Sequence, residues 1–338
     1  MKIFSKYALC AIFCAMGIGM TSALGAEQYV RPCGETVGIK LYTDGLLVVG
    51  VSDVEDSSGN KLPAAKSSGI RVGDILLSAN GQPLERTEEL AEITENSEGA
   101  VSVTVKRKNK TESFSVNPAR TADGLRLGLW VRDSTAGIGT VTYLSQDGKS
   151  YAALGHGITD VDTGNILSLK CGNILNCSEI SVRKSQKGDI GALSCSFNQN
   201  NIGNILMNTA NGIYGAVETQ QTAAQPEMRV AAVDEIQEGD AVILCDVDGC
   251  GVREYGIEIK KVSKMSAADK TLVFEITDDA LIAKTGGIVQ GMSGSPILQN
   301  GLFVGAVTHV FINDPIRGFG VAGESMIEHT NDLSVPQA

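Results

Sequence analysis

The sequence predicts a mainly β fold, and three observations support this. The 338 residues include 39 glycines while aromatic residues make up only 5%, a composition that suits small domains rich in turns. Most apolar runs are short and end at Asp-Gly, Asn-Gly or similar turns. The length exceeds that of a comfortable single core, so two domains are expected. A net charge of −11 argues against nucleic acid as a partner, because that contact needs a basic surface.

The first 26 residues have the features of an export signal. Lys2 and Lys6 precede an apolar run over residues 7–20, and small residues follow it. The run is shorter than the roughly 20 residues of a membrane-spanning helix, which favours cleavage, although an uncleaved leader acting as an anchor stays open. We therefore expect residues 1–26 to be a signal peptide or membrane anchor and the rest of the chain to be exported.

Eight cysteines occur in the chain, and six of them follow the leader. In an exported protein such cysteines can form disulfides, but their spacing leaves the connectivity open. None has the Cys-x-x-Cys spacing of a structural zinc site, so neither a metal nor another cofactor is expected. The six are Cys33, Cys171, Cys177, Cys195, Cys245 and Cys250.

A first domain is predicted over residues 35–117, where strand signals follow one another closely. Two segments, 38–41 and 46–51, have the apolar pattern of strands. A third strand ends at the dipeptide Asn80-Gly81, a strong short-range signal for a tight hairpin turn. These signals predict a small sheet at the start of the exported chain.

One helix is predicted inside this domain, over residues 87–96. Thr87 is its expected N-cap, and Leu90 and Ile93 lie on the face expected to point inward. A strand with alternating valines follows at residues 101–105. The first domain is therefore expected to pack one helix against its sheet.

This domain resembles a PDZ domain. Pro63-Ala64-Ala65, the run Gly-Ile-Arg-Val-Gly-Asp-Ile-Leu from residue 69, and Asn-Gly-Gln-Pro-Leu from residue 80 occur at the spacing of that family. The resemblance implies that a peptide adds as an extra strand between the helix and an exposed edge strand. That peptide-binding strand would be Gly38, Ile39, Lys40 and Leu41. A PDZ fold that serves only as a rigid spacer is the alternative.

Residues 118–124 are predicted to be a linker, and residues 125–338 a second domain. Short apolar strands recur along its first part and again over residues 230–276. The segment 220–228 has the composition of a connection between the two sets of strands. This spacing of strands is typical of a barrel or a sandwich.

A serine in the second domain stands at the apex of a glycine turn, in the run Gly291-Met292-Ser293-Gly294. The flanking glycines leave the hydroxyl accessible and let backbone N–H groups converge beside it, as a nucleophile next to an oxyanion hole requires. We therefore identify Ser293 as a candidate nucleophile. For an isolated Ser-Gly pair, a simple turn would be the better interpretation.

His156 is the candidate general base, which a serine hydroxyl needs to accept its proton. The chain has three histidines, and this one follows an apolar strand and stands between Gly155 and Gly157. The order histidine before serine is that of chymotrypsin-like double β-barrels, whereas an α/β-hydrolase places its histidine last. The second domain is therefore expected to be a chymotrypsin-like double β-barrel of the serine protease type.

The carboxylate that would orient the base has several candidates. Asp278 ends an apolar strand fifteen residues before Ser293, but spacing alone leaves the choice open. A triad of Ser293, Asp314 and His329 is the alternative, although His329 lies in a polar terminal stretch that we expect to fray. The candidate acids between the base and the serine are Asp160, Asp162, Asp189, Asp278 and Asp279.

Three segments resemble the stage IV sporulation protein B serine peptidases, which are PDZ-containing proteases of endospore-forming bacteria. The resemblance extends over the leader, the PDZ domain and the catalytic domain. The segments are Leu154-Gly155-His156-Gly157-Ile158-Thr159-Asp160, the run from Lys284 to Ile297, and Ala306-Val307-Thr308-His309-Val310-Phe311-Ile312-Asn313-Asp314-Pro315.

The resemblance implies that His156, Asp278 and Ser293 act as a triad. It also implies an enzyme that is exported into the space between the forespore membranes, cleaves itself, and then cleaves a membrane-bound inhibitor. Loss of that inhibitor would let an intramembrane protease activate a late mother-cell sigma factor. The expected partners are therefore a protein or peptide substrate and a peptide tail at the PDZ groove.

The resemblance to chymotrypsin itself is looser. Its Gly-Asp-Ser-Gly-Gly-Pro motif has Met292 and Ser295 here in place of Asp and the second Gly, so pairing of that Asp with a new N-terminus cannot activate this chain. Control by the PDZ domain or by self-cleavage is expected instead. The N–H groups of Gly291 and Ser293 would form the oxyanion hole, and His309 would line the cleft or be a buried structural residue. A catalytically silent PDZ scaffold that binds a partner peptide is the alternative function.

Overall fold

The computed structural model describes residues 27–108, 110–160, 163–219, 226–263 and 270–333. The predicted leader, the candidate acid Asp162 and most of the predicted connection 220–228 lie outside these ranges. Strands dominate the described residues, so the prediction of a mainly β fold is confirmed.

The described elements fall into three groups along the chain. Up to residue 126 they are β1 (Tyr29–Pro32), β2 (Thr36–Val51), β3 (Val54–Glu55), β4 (Lys61–Leu62), β5 (Ile75–Ala79), β6 (Gln82–Pro83), α1 (Thr87–Glu95), β7 (Val101–Arg107), β8 (Lys110–Val116), β9 (Ala119–Thr121) and β10 (Gly124–Arg126). The next group is β11 (Leu129–Ser145), β12 (Ser150–Ala153), β13 (Leu169–Arg183), β14 (Ala192–Thr209), β15 (Gly212–Val217) and β16 (Met228–Arg229). After a 3-10 turn at Val233–Glu235 come β17 (Gly239–Cys245), β18 (Arg253–Val262), β19 (Leu272–Ile276), α2 (Asp279–Thr285), β20 (Pro296–Gln299), β21 (Leu302–Phe311), β22 (Asp314–Ala322) and α3 (Gly323–Leu333).

The first barrel is a ring of antiparallel strands in the order β2, β11, β12, β15, β14 and β13. The ring closes because β13 pairs with β2. Alternate residues of these strands point inward and are withdrawn from water. The core of the first barrel includes Val37, Val141, Tyr151, Ile174 and Ile213.

The second barrel closes in the order β17, β18, β19, β22, β21 and β20. Its strands come from one continuous stretch of chain, and its core includes Ile243, Ile257, Phe274, Ile297 and Val304. The prediction of a double β-barrel is therefore confirmed.

The two barrels pack against each other through a cluster of fully buried side chains. The rings of Tyr143 in the first barrel and Phe303 in the second meet edge to face, with centroids 5.3 Å apart. Helix α3 joins this interface through Met326, and the hydroxyls of Tyr143 and Thr330 lie 2.8 Å apart. The terminal stretch predicted to fray is therefore helical and tied to both barrels over the residues described.

The PDZ-like domain lies between β2 and β11. The second half of β2 pairs with β5, which pairs with β7, which pairs with β8. Leu46, Leu76, Leu90 and Val103 belong to its core. The chain thus leaves the first barrel along β2 and returns to it along β11, so this domain is inserted into the first barrel and does not simply precede it.

The peptide-binding strand predicted at Gly38–Leu41 is wrong. Gly38 pairs with Ile138 of β11 on one side and with Leu175 of β13 on the other, and Leu41 is fully buried. A strand hydrogen-bonded on both edges has no free N–H or C=O groups with which to accept a peptide. These residues belong to the first barrel.

One side of α1 is covered by the protein's own chain. At one end of the helix the N–H of Leu125 donates to the Glu95 carboxylate at 2.7 Å, and at the other the N–H of Thr87 donates to Asp133 at 3.1 Å. Leu127 lies between them and packs in the same core as Leu90. The segment that returns to the first barrel therefore lies along one side of the helix.

The predicted domain boundaries also change. The boundary at residue 35 cuts off β2, whose first half is a barrel strand. The predicted linker 118–124 forms most of the β9–β10 hairpin, in which Thr121 pairs with Gly124. Short polar segments with Pro and Gly are typical of linkers and of hairpin turns alike, and the sequence does not separate the two.

The hairpin turn and the helix predicted within the PDZ-like domain are both present. Asn80 and Gly81 both have positive φ, at 49° and 78°, as a two-residue hairpin turn of type I′ requires. Helix α1 forms with Leu90 buried and Ile93 partly buried. Thr87, the predicted N-cap, is instead the first helical residue, and the Glu89 carboxylate accepts the N–H groups of Glu85 and Arg86 ahead of it.

One disulfide is present among the described residues, between Cys177 of β13 and Cys195 of β14. It closes the hairpin of the first barrel, whereas Cys33, Cys171, Cys245 and Cys250 are free. None of the helices described between residues 27 and 333 is long and apolar enough to cross a membrane.

Candidate active site

The serine loop runs from the end of α2 to the start of β20 and is held along its length. The N–H of Ile288 donates to Pro315 at 2.7 Å, that of Gln290 to Gly191 at 2.9 Å, and that of Gly294 to Val307 at 2.8 Å. Both barrels supply these acceptors, because Gly191 precedes β14 and the other two lie in the second barrel. The predicted nucleophile therefore lies where the two barrels meet.

Two peptide units of this loop are anchored through their carbonyls. The carbonyl of Gln290 accepts the N–H of Leu193 at 2.8 Å, and the carbonyl of Met292 accepts the N–H of Ser295 at 3.0 Å. In a trans peptide the N–H points opposite to the C=O, so the N–H groups of Gly291 and Ser293 point away from these anchors. Neither donates to another group among the described residues. This is the donor pair expected from the sequence.

Gly291 has a backbone conformation that requires glycine. Its φ is +102°, and a Cβ there would lie 3.0 Å from the Leu193 Cβ. Gly291, two residues before Ser293, thus permits both the turn and the close approach of the first barrel.

Thr140 of β11 holds the other two carbonyls of the loop. Its Oγ1 donates to the Gly291 carbonyl at 2.8 Å, and its N–H donates to the Ser293 carbonyl at 2.9 Å. The residue is fully buried. The sequence analysis did not find Thr140, because no local pattern marks a threonine that contacts a loop about 150 positions away.

His156 enters the site at the end of β12 through a sharp turn. Leu154 and Gly155 both have left-handed φ values, of 71° and 68°. A Cβ on Gly155 would lie 3.0 Å from Thr308 of the second barrel, so glycine lets the turn pack closely there. His156 Nδ1 lies 2.9 Å from the Gly157 carbonyl, which can only accept a hydrogen bond. Nδ1 is therefore the donor to this carbonyl.

His156 and Ser293 line the same two clefts. The Ser293 hydroxyl donates to the Thr308 carbonyl at 2.9 Å. In this arrangement the hydroxyl proton is held by a backbone carbonyl of β21. The structure thus brings the predicted nucleophile and base to one site, and the Ser293 hydroxyl is hydrogen-bonded there to the Thr308 carbonyl.

The carboxylate proposed for the triad, Asp278, is not among the described residues that line the clefts. It precedes α2, where its Oδ1 accepts the N–H of Leu281 at 2.8 Å. That contact satisfies one of the free N–H groups at the start of the helix. The structure therefore gives Asp278 the contacts of a helix cap.

The other candidate acids have various environments. The Asp160 side chain is fully buried, pairs with Arg132 at 3.2 Å and accepts the N–H of Thr163 at 2.9 Å. Asp189 forms an exposed ion pair with Arg183. Asp279 is an exposed residue in the first turn of α2.

The alternative triad is not brought together at the cleft. His329 lies on α3, where its ring packs 5.3 Å from that of Tyr214, and Asp314 begins β22 with an ion pair to Arg317. His309 does line the second cleft, and its ring centroid lies 5.1 Å from that of His156. The imidazole beside His156 is therefore that of His309, contributed by β21 of the second barrel.

Two clefts of similar size lie on either side of Ser293, and both are mainly apolar. The cleft toward the first barrel has a volume of about 540 Å³, and the one along β21 about 550 Å³. Among the described lining residues none carries a carboxylate, ammonium or guanidinium group. The apolar side chains of the first cleft are those of Ile39, Ile138, Leu154, Ile158, Leu193 and Phe197, and those of the second are Ile166, Ile288, Val289 and Val310.

The buried cysteines do not offer a second nucleophile. Burial raises the pKa of the thiols of Cys33 and Cys245 far above the usual value. Both thiols are therefore protonated at neutral pH, and a thiol reacts as its thiolate.

Fold and site together define a serine endopeptidase with two β-barrels and an inserted PDZ domain. Residues 123–327, more than half of the chain, match the family described as SpoIVB peptidase S55, and residues 57–107 match the PDZ domain. The chain belongs to the SpoIVB peptidase S55 family, as the sequence analysis predicted. It is therefore a serine peptidase that acts on proteins or peptides.

Solved structures similar to the chain include the Rv3671c protease of M. tuberculosis. Its active form is 16% identical with a TM-score of 0.37, covering 60% of this chain and 76% of that one. An inactive form is also 16% identical with a TM-score of 0.35, covering 59% of this chain and 85% of that one. The comparison with curated proteins found no match.

Proposed function

We propose that Ser293 and His156 carry out peptide hydrolysis by acyl transfer. The Ser293 Oγ adds to the substrate carbonyl carbon while His156 Nε2 takes its proton, and the N–H groups of Gly291 and Ser293 bind the resulting oxyanion. Collapse of this tetrahedral intermediate breaks the C–N bond of the substrate, and His156 returns the proton to the leaving amine. Water then hydrolyses the acyl-enzyme by the same route. The location of both groups in one cleft beside two unengaged N–H groups carries this proposal.

The substrate residues next to the cleaved bond are proposed to be apolar. Apolar side chains line both clefts, and no charged side chain among the described lining residues could pair with a charged substrate group. A charge buried there would lose its hydration without compensation. A fluorogenic peptide library should show preference for Leu, Val or Phe over Asp or Lys on both sides of the bond. Preference for a charged residue on either side would contradict the proposed clefts.

We further propose a role in sporulation signalling, which membership of the SpoIVB peptidase family supports. In this proposal the enzyme is exported to the space between the forespore membranes and cleaves itself. It then cleaves a membrane-bound inhibitor, which releases an intramembrane protease to activate a late sigma factor. The leader is either removed or retained as an anchor.

Two measurements on the full chain test these proposals, each against Ser293→Ala. A fluorophosphonate probe should label the wild-type protein and leave the variant unlabelled, and equal labelling would refute the role of Ser293. Intact mass should then show a shorter wild-type chain and a longer variant. A shared N-terminus would rule out self-cleavage while leaving the peptidase activity in place.

A further inference from the structure

We propose that Thr140 is a positioning residue for the oxyanion hole. It does not touch the substrate but holds the loop that carries the two N–H donors. The inference rests on the proposed role of Ser293. Its basis is that Thr140, on a strand of the first barrel, hydrogen-bonds to two carbonyls of the serine loop on the second.

Each of the four carbonyls of residues 290–293 accepts a hydrogen bond, and Thr140 holds every second one. Leu193 holds the first and Ser295 the third, while the second and fourth, those of Gly291 and Ser293, are both held by Thr140. The loop is thereby fixed from two directions. The Thr140 hydroxyl supplies the only side-chain bond among these four.

The peptide joining Gly291 to Met292 is hydrogen-bonded at both of its polar groups, and its N–H, that of Met292, donates to the Val289 carbonyl at 3.2 Å. It follows a glycine, whose backbone reaches many conformations, and the Thr140 hydroxyl is the donor that holds its carbonyl. That peptide lies between the two that carry the oxyanion donors, so its rotation changes the angle between their N–H groups. Stabilisation of an oxyanion depends on donors already in place, and misplacing them slows the chemical step more than binding.

Thr142 provides a matched control on the same strand. Its side chain is also fully buried, and it lies two residues farther along β11. Its hydroxyl has no hydrogen-bond partner among the described residues. Replacing either threonine by valine conserves shape, but only Thr140→Val removes a bond to the loop.

The experiment measures fluorophosphonate labelling of the full chain over a range of probe concentrations. The phosphoryl oxygen of the probe occupies the oxyanion hole as fluoride leaves. Thr140→Val should lower the maximal labelling rate about 10- to 100-fold, with less than a threefold change in half-saturating probe concentration. Thr140→Ser, which keeps the hydroxyl, should restore most of the rate, and Thr142→Val should label like the wild type. Thermal melts of every variant establish the folded fraction.

Three results would overturn the inference. Thr140→Val could label at the wild-type rate, Thr142→Val could lose as much as Thr140→Val, or Thr140→Ser could fail to recover. If Thr140→Val does not fold, Thr140→Ala measured against Thr140→Ser gives the same comparison. A wild-type chain that does not label would instead refute the proposed nucleophile, so the two failures are distinguishable.

Discussion

The two barrels contribute to the site in different ways. The second barrel is built from one continuous stretch, Gly239–Ala322, and carries Ser293 and both proposed oxyanion donors on one loop. The first barrel is assembled from two separated stretches, with the PDZ domain inserted between β2 and β11. It supplies His156 and the anchors Thr140 and Leu193.

The relative positions of the groups on the second barrel depend on local chain geometry. Their positions relative to His156 depend on how the two barrels pack. The proposed nucleophile and the two proposed oxyanion donors keep their relative positions because a single short loop carries all three. The proposed base, His156, comes from the other barrel and lines the same clefts as Ser293. Strand β11 extends from the PDZ core to Thr140. It therefore links the PDZ domain directly to the residue that holds the serine loop.

The largest expected effect comes from replacing His156, compared with replacing His309. These two histidines line the second cleft, and each comes from a different barrel. His156→Ala should lower kcat by about 10⁴-fold or more, because it removes the proton acceptor. His309→Ala should change kcat by less than about tenfold and act mainly on KM, because β21 borders the second cleft. Hydrolysis of fluorogenic casein measures both. A larger loss for His309→Ala would assign the base to the second barrel.

Asp278 provides a sharper test within the second barrel, because the family resemblance assigns it to the triad and its contacts assign it to a helix cap. Asp278→Asn should keep the cap, the stability and most of the activity. Asp278→Ala should cost about 1 kcal/mol and lower the labelling rate severalfold, since α2 leads directly into the serine loop. Chemical denaturation and phosphonate labelling provide the two readouts. A loss near 10⁴-fold in Asp278→Asn would instead show that the carboxylate orients the imidazole.

The smallest effect on activity is expected from the disulfide, which lies in the first barrel. Its two cysteines are 18 positions apart, so replacing both Cys177 and Cys195 by serine should lower the unfolding free energy by about 3 kcal/mol. Phosphonate labelling at 25 °C should stay within about twofold, because the bridge does not contact the serine loop. Cys171→Ser, on the same strand but unpaired, is the control. If the control loses as much stability, the bridge is not the cause.

The comparison between sequence and structure separates local from distant features. The Asn80-Gly81 turn, the inward face of α1 and the serine loop were predictable because each depends on neighbouring residues. The segment Gly38–Leu41 was predicted correctly as a strand but assigned to the wrong domain. Its alternation of small, apolar and polar residues suits an edge of a PDZ groove and the wall of a barrel equally well. Only the register with β11 and β13 distinguishes the two.

The class of enzyme was therefore predictable from the sequence alone, from a serine in a glycine turn, a histidine at a strand end, and their order along the chain. Folding decided which groups surround them. It placed Thr140 under the loop, assigned the Ser293 hydroxyl to the Thr308 carbonyl, and set Asp278 at the start of α2. The Asp278 contact is local, because it reaches Leu281 three positions along the chain, whereas Thr140 and Gly291 are 151 positions apart. Burial of the two cores against each other, for which no short motif codes, determines whether such a distant contact forms.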